Sequence, residues 1–196
     1  MNDQDRGLRA RLVTAGVELL AGEGVHALTL REIARRAGVS HGAPRRHFPT
    51  HRELLAAIAG HGFGELAAAL AAADAQAGPG AGPRTRLAAL CRAYLGFAAA
   101  DPGMFELMFR HDLLEGSGAD LRRTTLPLFE TFTRLVAEVR PPSGGAPAAV
   151  ATALWANLHG LAQLRTWGSL RLATGADDIE PLLRAALDAH LGPEPR

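Results

Sequence analysis

Arginine and histidine side chains are concentrated between residues 41 and 52 of the 196-residue chain. A guanidinium group can donate two hydrogen bonds to O6 and N7 of guanine, and a cationic side chain can neutralise a phosphate. The stretch offers six such groups: His41, Arg45, Arg46, His47, His51 and Arg52. These residue types are suited to the recognition of nucleic acid.

Other combinations of reactive side chains give weaker signals. His47 and His51 are four residues apart, but Pro49 assigns them to different helices, so they do not share a helix face as metal ligands. Cys91 is the only cysteine, and its place on an apolar helix face predicts an inert thiol. The sequence therefore predicts no catalytic residues, no metal, no cofactor and no enzymatic activity.

The distribution of charge separates the N-terminal segment from the remainder. All 21 basic residues are Arg, against 20 acidic residues, for a net charge of +1. Residues 1–60 hold nine Arg and six acids, a net charge of +3, whereas residues 61–196 hold twelve Arg and fourteen acids, a net charge of −2. The near-neutral total thus conceals a basic N-terminal unit, as a nucleic-acid-binding domain requires.

Apolar residues recur at helical spacing throughout the chain, and no convincing segment alternates with the two-residue period of a strand. Clusters of Gly and Pro at 77–83, 115–118 and 140–147 divide the sequence. The pattern predicts an all-α protein of about nine helices. No run of about 18 apolar residues is free of charge, and residues 1–12 are too charged for a signal peptide, so we expect a cytoplasmic protein without a membrane segment.

The first 60 residues carry the signals of a helix-turn-helix. A first helix is predicted over 5–23. The capping box at 29–32 starts a short second helix, and Gly38 suits the tight turn after it. Ser40 is the predicted N-cap of a third helix, and a second capping box at 50–53 starts a long fourth helix. Two short helices joined by a glycine-containing turn define the motif.

Residues 29–58, TLREIARRAGVSHGAPRRHFPTHRELLAAI, resemble the DNA-binding domain of the tetracycline-repressor (TetR) family. The matching features are a Thr-capped second helix, the pattern I-A-x-x-A-G-V-S, and a basic stretch that ends in Phe-Pro before a capped helix. The resemblance implies a recognition helix in the major groove of double-stranded DNA.

Carried over position by position, the resemblance assigns two groups of DNA contacts. The third helix and its approach would face the bases, while the second and fourth helices would touch phosphates, since helix N-termini present free N–H groups to anions. The implied base-facing residues are His41, Gly42, Arg45, Arg46 and His47, and the implied phosphate contacts are Thr29, Arg31 and His51.

The chain departs from the commoner family pattern in three ways. Arg45 stands where Tyr is usual, and His41 and His51 stand where Lys is common. Pro44 lies inside the predicted third helix. Because proline has no N–H, that helix either begins later than Ser40 predicts or is distorted.

Five further helices are predicted after the fourth. Asp101 followed by Pro102 is the N-cap and first residue of one of them, and Pro127 lies within another. The predicted segments are 84–98, 101–109, 120–140, 147–172 and 178–191.

The C-terminal segments resemble the effector-binding and dimerisation domain of a WHG-type member of the same family. The resemblance is carried by Trp155, His159 and Gly160, and by D-P-x-x-F at 101–105. It implies that the last two helices of each subunit form a four-helix dimer interface, with small residues allowing close approach: Ala156, Gly160 and Ala162.

An apolar effector pocket and an ordinary core both account for the aromatic and methionine residues of this region. His159 and Tyr94 are the stronger candidates for ligand contact, because a polar tip among apolar neighbours requires a partner. The candidate set is Tyr94, Phe97, Met104, Phe105, Met108, Phe109, Phe132, Trp155 and His159.

Together these features predict a DNA-binding domain over 1–50 and a ligand-binding and dimerisation domain over 51–196. The expected function is that of a homodimeric transcriptional regulator on a palindromic operator, a repressor released by a small apolar ligand. Repression and ligand release come from the resemblance. The alternatives are a helical adaptor that does not bind DNA and, as a weaker candidate, an enzyme.

Overall fold

The computed structural model describes residues 3–139, 146–175 and 177–194, with the side chains described from Gly7 onward. Over these residues the chain forms eleven α-helices and no strand, which confirms the all-α prediction. The helices are α1 (Asp3–Glu23), α2 (Leu30–Arg36), α3 (Pro44–His47), α4 (His51–Ala77), α5 (Pro83–Ala100), α6 (Pro102–Phe109), α7 (His111–Leu114), α8 (Arg122–Val139), α9 (Pro147–Thr166), α10 (Ser169–Thr174) and α11 (Glu180–Leu191). Most of the glycine- and proline-rich cluster at 140–147 lies outside the described residues.

Two of these helices were not predicted, and both are short. The predicted helix at 147–172 is divided, because Gly168 adopts a left-handed conformation with φ of 72° that ends α9 and precedes α10. The second addition, α7, is a single turn that follows Arg110.

The helices form two compact units, and neither is continuous in sequence. The first unit comprises Met1–Glu65 and Asp101–Thr124, and the second comprises Leu66–Ala100 and Thr125–Arg196. The division predicted at residue 50 follows chain order, whereas the first unit also contains α6, which packs on α1.

The first unit is organised around the apolar faces of α1, α2 and α4. Local capping fixes three helix starts as predicted. The hydroxyl oxygens of Thr29 and Thr50 accept the N–H groups of Glu32 and Glu53, each at 3.2 Å, and the Asp101 carboxylate accepts the Met104 N–H at 2.9 Å. The large core side chains of this unit are fully buried: Leu12, Leu19, Leu20, Ile33, Phe48, Leu54, Ile58, Phe105 and Leu107.

Helix α4 has the length and hydropathy of a membrane span, and 44% of its most apolar window is buried in the protein. In the first unit it turns Leu54, Leu55 and Ile58 into the core. Its apolar composition is therefore that of a core helix.

Two glycines allow α6 to approach α1 and α4 closely. A Cβ atom at Gly103 would lie 2.8 Å from the carbonyl oxygen of Leu20, and one at Gly62 would lie 2.5 Å from the sulfur of Met104. Main-chain atoms cannot move aside as a flexible side chain can, so the Gly103 contact is the stricter of the two.

We therefore expect Gly103→Ala to lower the free energy of unfolding by about 1–3 kcal/mol, because the added methyl group forces α6 away from α1. Gly96→Ala is the matched control. Gly96 lies in α5 with no neighbour within 4 Å of its built Cβ, so that change should stabilise by about 0.5–1 kcal/mol. Urea denaturation of both variants measures the difference, and a Gly103→Ala protein as stable as the parent would contradict the close packing.

In the second unit, α5, α9 and α11 pack together, and arginine side chains connect the outer helices. Arg84 donates to the Asp188 carboxylate at 2.5 Å and to the Gly192 carbonyl at 2.8 Å. Arg92 pairs with Glu180 through two guanidinium nitrogens. These contacts fix α11 against α5 and leave the outer face of α9 uncovered.

Candidate nucleic-acid interface

The turn between α2 and α3 has the geometry of a helix-turn-helix. Gly38 adopts a φ of 67°, a conformation that costs glycine little. The Val39 N–H bonds to the Ala34 carbonyl at 3.0 Å, and a guanidinium nitrogen of Arg11 donates to the Ala37 carbonyl at 2.5 Å. The Ala34 carbonyl of α2 is thereby satisfied from within the turn and the carbonyl of its C-cap Ala37 from α1, which fixes the direction in which the chain leaves the turn.

The predicted start of the third helix at Ser40 is wrong. Helix α3 begins at Pro44, with Ala43 as its N-cap and no side-chain cap, and residues 41–43 form a turn. Proline is favoured at the first helical position, where its missing N–H costs no hydrogen bond. Of the two alternatives for Pro44, the later start is the one observed, and it moves His41 and Gly42 from the helix to the turn before it.

The arginines of the first unit divide into paired and unpaired groups. Arg35 pairs with Glu32, and Arg36 pairs with Glu23. In the described part of the chain, no carboxylate lies within ion-pair distance of three other exposed arginines: Arg31, Arg45 and Arg46. Among the described residues of this unit, Arg122 and Arg123 at the start of α8 are likewise exposed and without an ion pair, so α2 and α3 hold one part of its unpaired positive charge.

Arg9 has a structural role within the first unit. Its guanidinium lies 4.3 Å from the centre of the Phe48 ring and donates to the His47 carbonyl at 3.4 Å. A cation over an aromatic face is stabilised by the ring quadrupole. Arg9 thus attaches the C-terminal end of α3 to α1, and His47 is half-buried at this junction.

His51 begins α4 and is half-buried. Its Nε2 lies 2.5 Å from the carbonyl oxygen of Leu28. Because a carbonyl oxygen only accepts, Nε2 carries the proton and donates. The residue therefore connects the start of α4 to the segment just before α2.

The remaining predicted DNA contacts belong to the first unit as well. Thr29 is the N-cap of α2, so its hydroxyl oxygen is already engaged by the main chain. The structure leaves exposed Thr29, Arg31, His41, Gly42, Arg45 and Arg46.

A second group of polar side chains lies between α5 and α9 in the second unit. The indole N–H of Trp155 donates to the Tyr94 hydroxyl at 3.2 Å, and that hydroxyl lies 2.9 Å from Nδ1 of His159. Burial raises the pKa of the Tyr94 hydroxyl and lowers the pKa of the His159 imidazole. Both side chains are therefore in their neutral forms near pH 7.

The predicted ligand-contact residues are distributed over both units. Tyr94, Trp155 and His159 come together, while Phe97 and Phe132 are half-buried in the same unit. The other predicted residues, Met104, Phe105, Met108 and Phe109, belong to the first unit. There Phe109 packs edge-on against Phe63, with ring centres 5.8 Å apart.

Sequence reasoning missed two members of the group in the second unit. Phe129 packs edge-on against Trp155, with ring centres 6.3 Å apart, and the amide nitrogen of Gln163 lies 3.5 Å from Nε2 of His159. The spacing of Trp155, His159 and Gln163 is four residues at each step, which places all three on one helix face. That spacing was the sequence signal by which Gln163 could have been found.

The two other candidate sites considered from the sequence were a reactive Cys91 thiol and a metal site. Burial raises the pKa of the Cys91 thiol to about 12, and the adjacent Arg92 is engaged by Glu180. Within residues 3–139, 146–175 and 177–194, no three His, Cys, Asp or Glu side chains are grouped as a metal site.

Two family models match the chain. One, described as bacterial regulatory proteins of the tetR family, matches residues 12–58. The other, described as a tetracyclin repressor-like C-terminal domain, matches residues 87–190. No curated protein matches.

Solved structures show the same fold. A protein of unknown function from Rhodococcus sp. RHA1 is 32% identical, with a TM-score of 0.78 over 94% of this chain and 93% of that chain. The multidrug binding protein EbrR, complexed with imidazole, is 25% identical, with a TM-score of 0.64 over 96% of each chain. BioQ, solved with its double-stranded DNA operator, is 20% identical, with a TM-score of 0.64 over 93% of this chain and 97% of that chain.

An all-α fold with a helix-turn-helix in its N-terminal part and unpaired arginines on that motif defines a DNA-binding transcriptional regulator. The chain belongs to the TetR family.

Proposed function

We propose that the chain acts in the cytoplasm as a homodimeric repressor that binds a palindromic operator and is released by a small ligand. The observation that carries the proposal is the pair of exposed arginines on α3, Arg45 and Arg46, which have no carboxylate partner among the described residues. An exposed guanidinium with no internal partner is available for the edge of guanine or for a phosphate.

In this proposal α3 and the turn before it enter the major groove. Arg45 and Arg46 read base edges from α3, while His41 and Gly42 approach from the turn and His47 from the end of the helix. Thr29, Arg31 and His51 contact phosphates from the starts of α2 and α4, where helix N-termini favour anions.

Dimerisation is supported by one exposed face of α9. This face carries four exposed residues at steps of three, eight and three positions, which a helix of 3.6 residues per turn places on one side: Ala153, Ala156, Leu164 and Trp167. Trp167, just after α9, is 69% exposed, and Gly160 lies half-buried on the same face. Such an apolar face is suited to pair with its own copy about a two-fold axis. Ala162, predicted at this interface, is instead buried within the unit.

Ligand release requires a ligand that binds two states of the dimer with different affinities. The second unit supplies the candidate site, around Tyr94 and His159. Its ligand would favour the state in which the two recognition helices are not spaced for adjacent turns of DNA. A solved structure of the same fold, EbrR, is described as a multidrug binding protein, which supports ligand binding as part of the proposal.

The salt dependence of binding separates this proposal from the adaptor alternative. A regulator that neutralises phosphates releases counterions, so the logarithm of its affinity for duplex DNA falls linearly with the logarithm of salt concentration, by about 0.9 per phosphate contacted. Fluorescence anisotropy with a labelled duplex measures the slope. A helical adaptor shows no saturable binding to duplex DNA at any salt concentration.

A further inference from the structure

We propose that the α9 helices of two subunits pair in antiparallel orientation, with Trp167 of one subunit packed on Ala149 of the partner subunit. The inference rests on the proposed homodimer and assigns the orientation and the register of its interface. It is carried by the outer face of α9, along which the size of the side chains changes from one end of the helix to the other.

The outer face of α9 is apolar over its whole length. Its residues follow one another at steps of four, three, four, four and three positions, the spacing that keeps them on one side of a helix. Trp167 is the C-cap of α9 and has helical dihedral angles, with φ of −77° and ψ of −5°, so it continues the face beyond the last helical residue. All members are exposed except the glycine, which is half-buried: Ala149, Ala153, Ala156, Gly160, Leu164 and Trp167.

This face carries no charged side chain. No Asp, Glu or Arg occurs from Pro147 to Leu164, and the one histidine of that segment, His159, is bonded to Tyr94. Leu164 is 40% exposed and Trp167 is 69% exposed. An exposed apolar face about 27 Å long, with a large aromatic residue at one end, is typical of a protein interface.

Side-chain volume is distributed unevenly along the face. The N-terminal half offers three alanines, whereas the C-terminal half ends in Leu164 and Trp167. Gly160 lies between the two halves, and a Cβ atom built there would meet nothing within 4 Å in its own chain. A neighbouring helix can therefore approach closely near the middle of the face.

The small and the large residues are placed symmetrically about one point of the helix, at Leu158. The outermost and the innermost pair of the face are centred on this residue, and the middle pair is centred half a residue beyond it. A two-fold axis perpendicular to α9 at this point brings each residue opposite its pair in the other subunit. The pairs are Trp167 with Ala149, Leu164 with Ala153, and Gly160 with Ala156.

This symmetry favours one of the two orientations that a two-fold axis allows. In the antiparallel pair a large residue lies over a small one toward both ends, and the smallest residues meet in the middle, so the helices stay at an even distance. In a parallel pair the two copies of Trp167 would oppose each other, forcing the helices apart at that end and leaving a gap at the end of Ala149. Because the two halves of one face fit each other, a second copy of this chain is its partner.

The paired α9 helices form the centre of the interface. A helix face about 27 Å long and about 10 Å wide covers about 300 Å², whereas a stable dimer buries about 800 Å² per subunit. Helices next to α9 therefore complete the contact. Both α10 and α11 pack on α9, and Leu172 of α10, five residues after Trp167, is 89% exposed. It adds apolar surface toward that end of the helix.

Cysteine cross-linking tests the register. The parent protein has one cysteine, Cys91, which is buried and should not cross-link. A disulfide requires Cα atoms within about 7 Å of each other, and in the proposed pair the two copies of position 149, or of position 167, lie about 27 Å apart. Ala149→Cys and Trp167→Cys should each stay uncross-linked under mild oxidation, whereas the variant with both substitutions should form a covalent dimer on a non-reducing gel.

Exchanging the large and the small residue gives an independent measurement. Ala149→Trp adds bulk against Trp167 of the partner subunit and Trp167→Ala leaves a gap, so each should raise the Kd of the dimer by at least about tenfold, measured by sedimentation equilibrium. The variant with both changes should return to within about threefold of the parent. Ala148→Trp is the matched control and should leave the Kd unchanged, because Ala148 is exposed but lies about 100° around the helix from Ala149.

Cross-linking of either variant with a single new cysteine would overturn the inference, as would a double exchange that does not restore the dimer. The parent protein keeps this test separate from the proposed function. If the parent is a dimer that binds duplex DNA while the variant with both cysteine substitutions does not cross-link, the register is wrong and the dimeric regulator stands. If the parent is a monomer, the register and the proposed homodimer both fail.

Discussion

Replacing both Arg45 and Arg46 with alanine is expected to abolish sequence-specific DNA binding and to leave the protein folded. Both side chains are exposed and have no carboxylate partner among the described residues, so their loss removes no internal contact. A bidentate contact with guanine provides about 1–3 kcal/mol of discrimination. With two arginines in each of two subunits, specific affinity should fall by at least about 1000-fold.

The matched control is the double alanine variant of Arg35 and Arg36. It removes the same charge from a neighbouring part of the motif, but these side chains are engaged by Glu32 and Glu23, and exposed ion pairs contribute little to stability. We expect a loss of less than about tenfold, measured by anisotropy at fixed salt. Retained specific affinity in the variant lacking Arg45 and Arg46 would contradict the assignment of α3 as the recognition helix.

Ala156→Arg should dissociate the dimer and thereby abolish operator binding. Ala156 lies on the exposed face of α9, and symmetry introduces the new charge twice into the same interface. Burying like charges across an interface costs several kcal/mol, so the dissociation constant of the dimer should rise by at least about 100-fold. Sedimentation equilibrium measures this constant.

Ala72→Arg provides the comparison, because Ala72 is an exposed alanine in a different helix, α4. Alanine and arginine both favour helices, so neither substitution should unfold its helix. The Ala72 variant should remain dimeric and bind DNA like the parent. If the Ala156→Arg protein is still dimeric, the dimer interface lies on another surface and the assignment to α9 is wrong.

The features that the sequence predicted well are those encoded by neighbouring residues. A cap needs a side chain within three positions of the N–H group it accepts, so Thr29, Thr50 and Asp101 were readable directly. The turn at Gly38 is equally local, because a positive φ favours glycine. The helix-turn-helix combines several such signals at fixed spacing.

The features that were missed depend on competition between local signals or on distant contacts. Ser40 and Pro44 both predict a helix start, and the proline prevailed because its ring is suited to the first helical position. The inclusion of α6 in the first unit depends on the contact of Gly103 with Leu20, which no local pattern records. The hydrogen bond between Tyr94 and His159 joins two different helices, so the local sequence pattern of neither helix records it.

The most direct test of the account is the selection of bound duplexes from a random pool by the intact protein, with the mass of the selected complex determined by analytical ultracentrifugation. We expect a palindromic sequence with half-sites centred about 10–10.5 base pairs apart, or a multiple of that spacing, bound by two subunits. No enrichment, or an asymmetric site bound by one subunit, would contradict it.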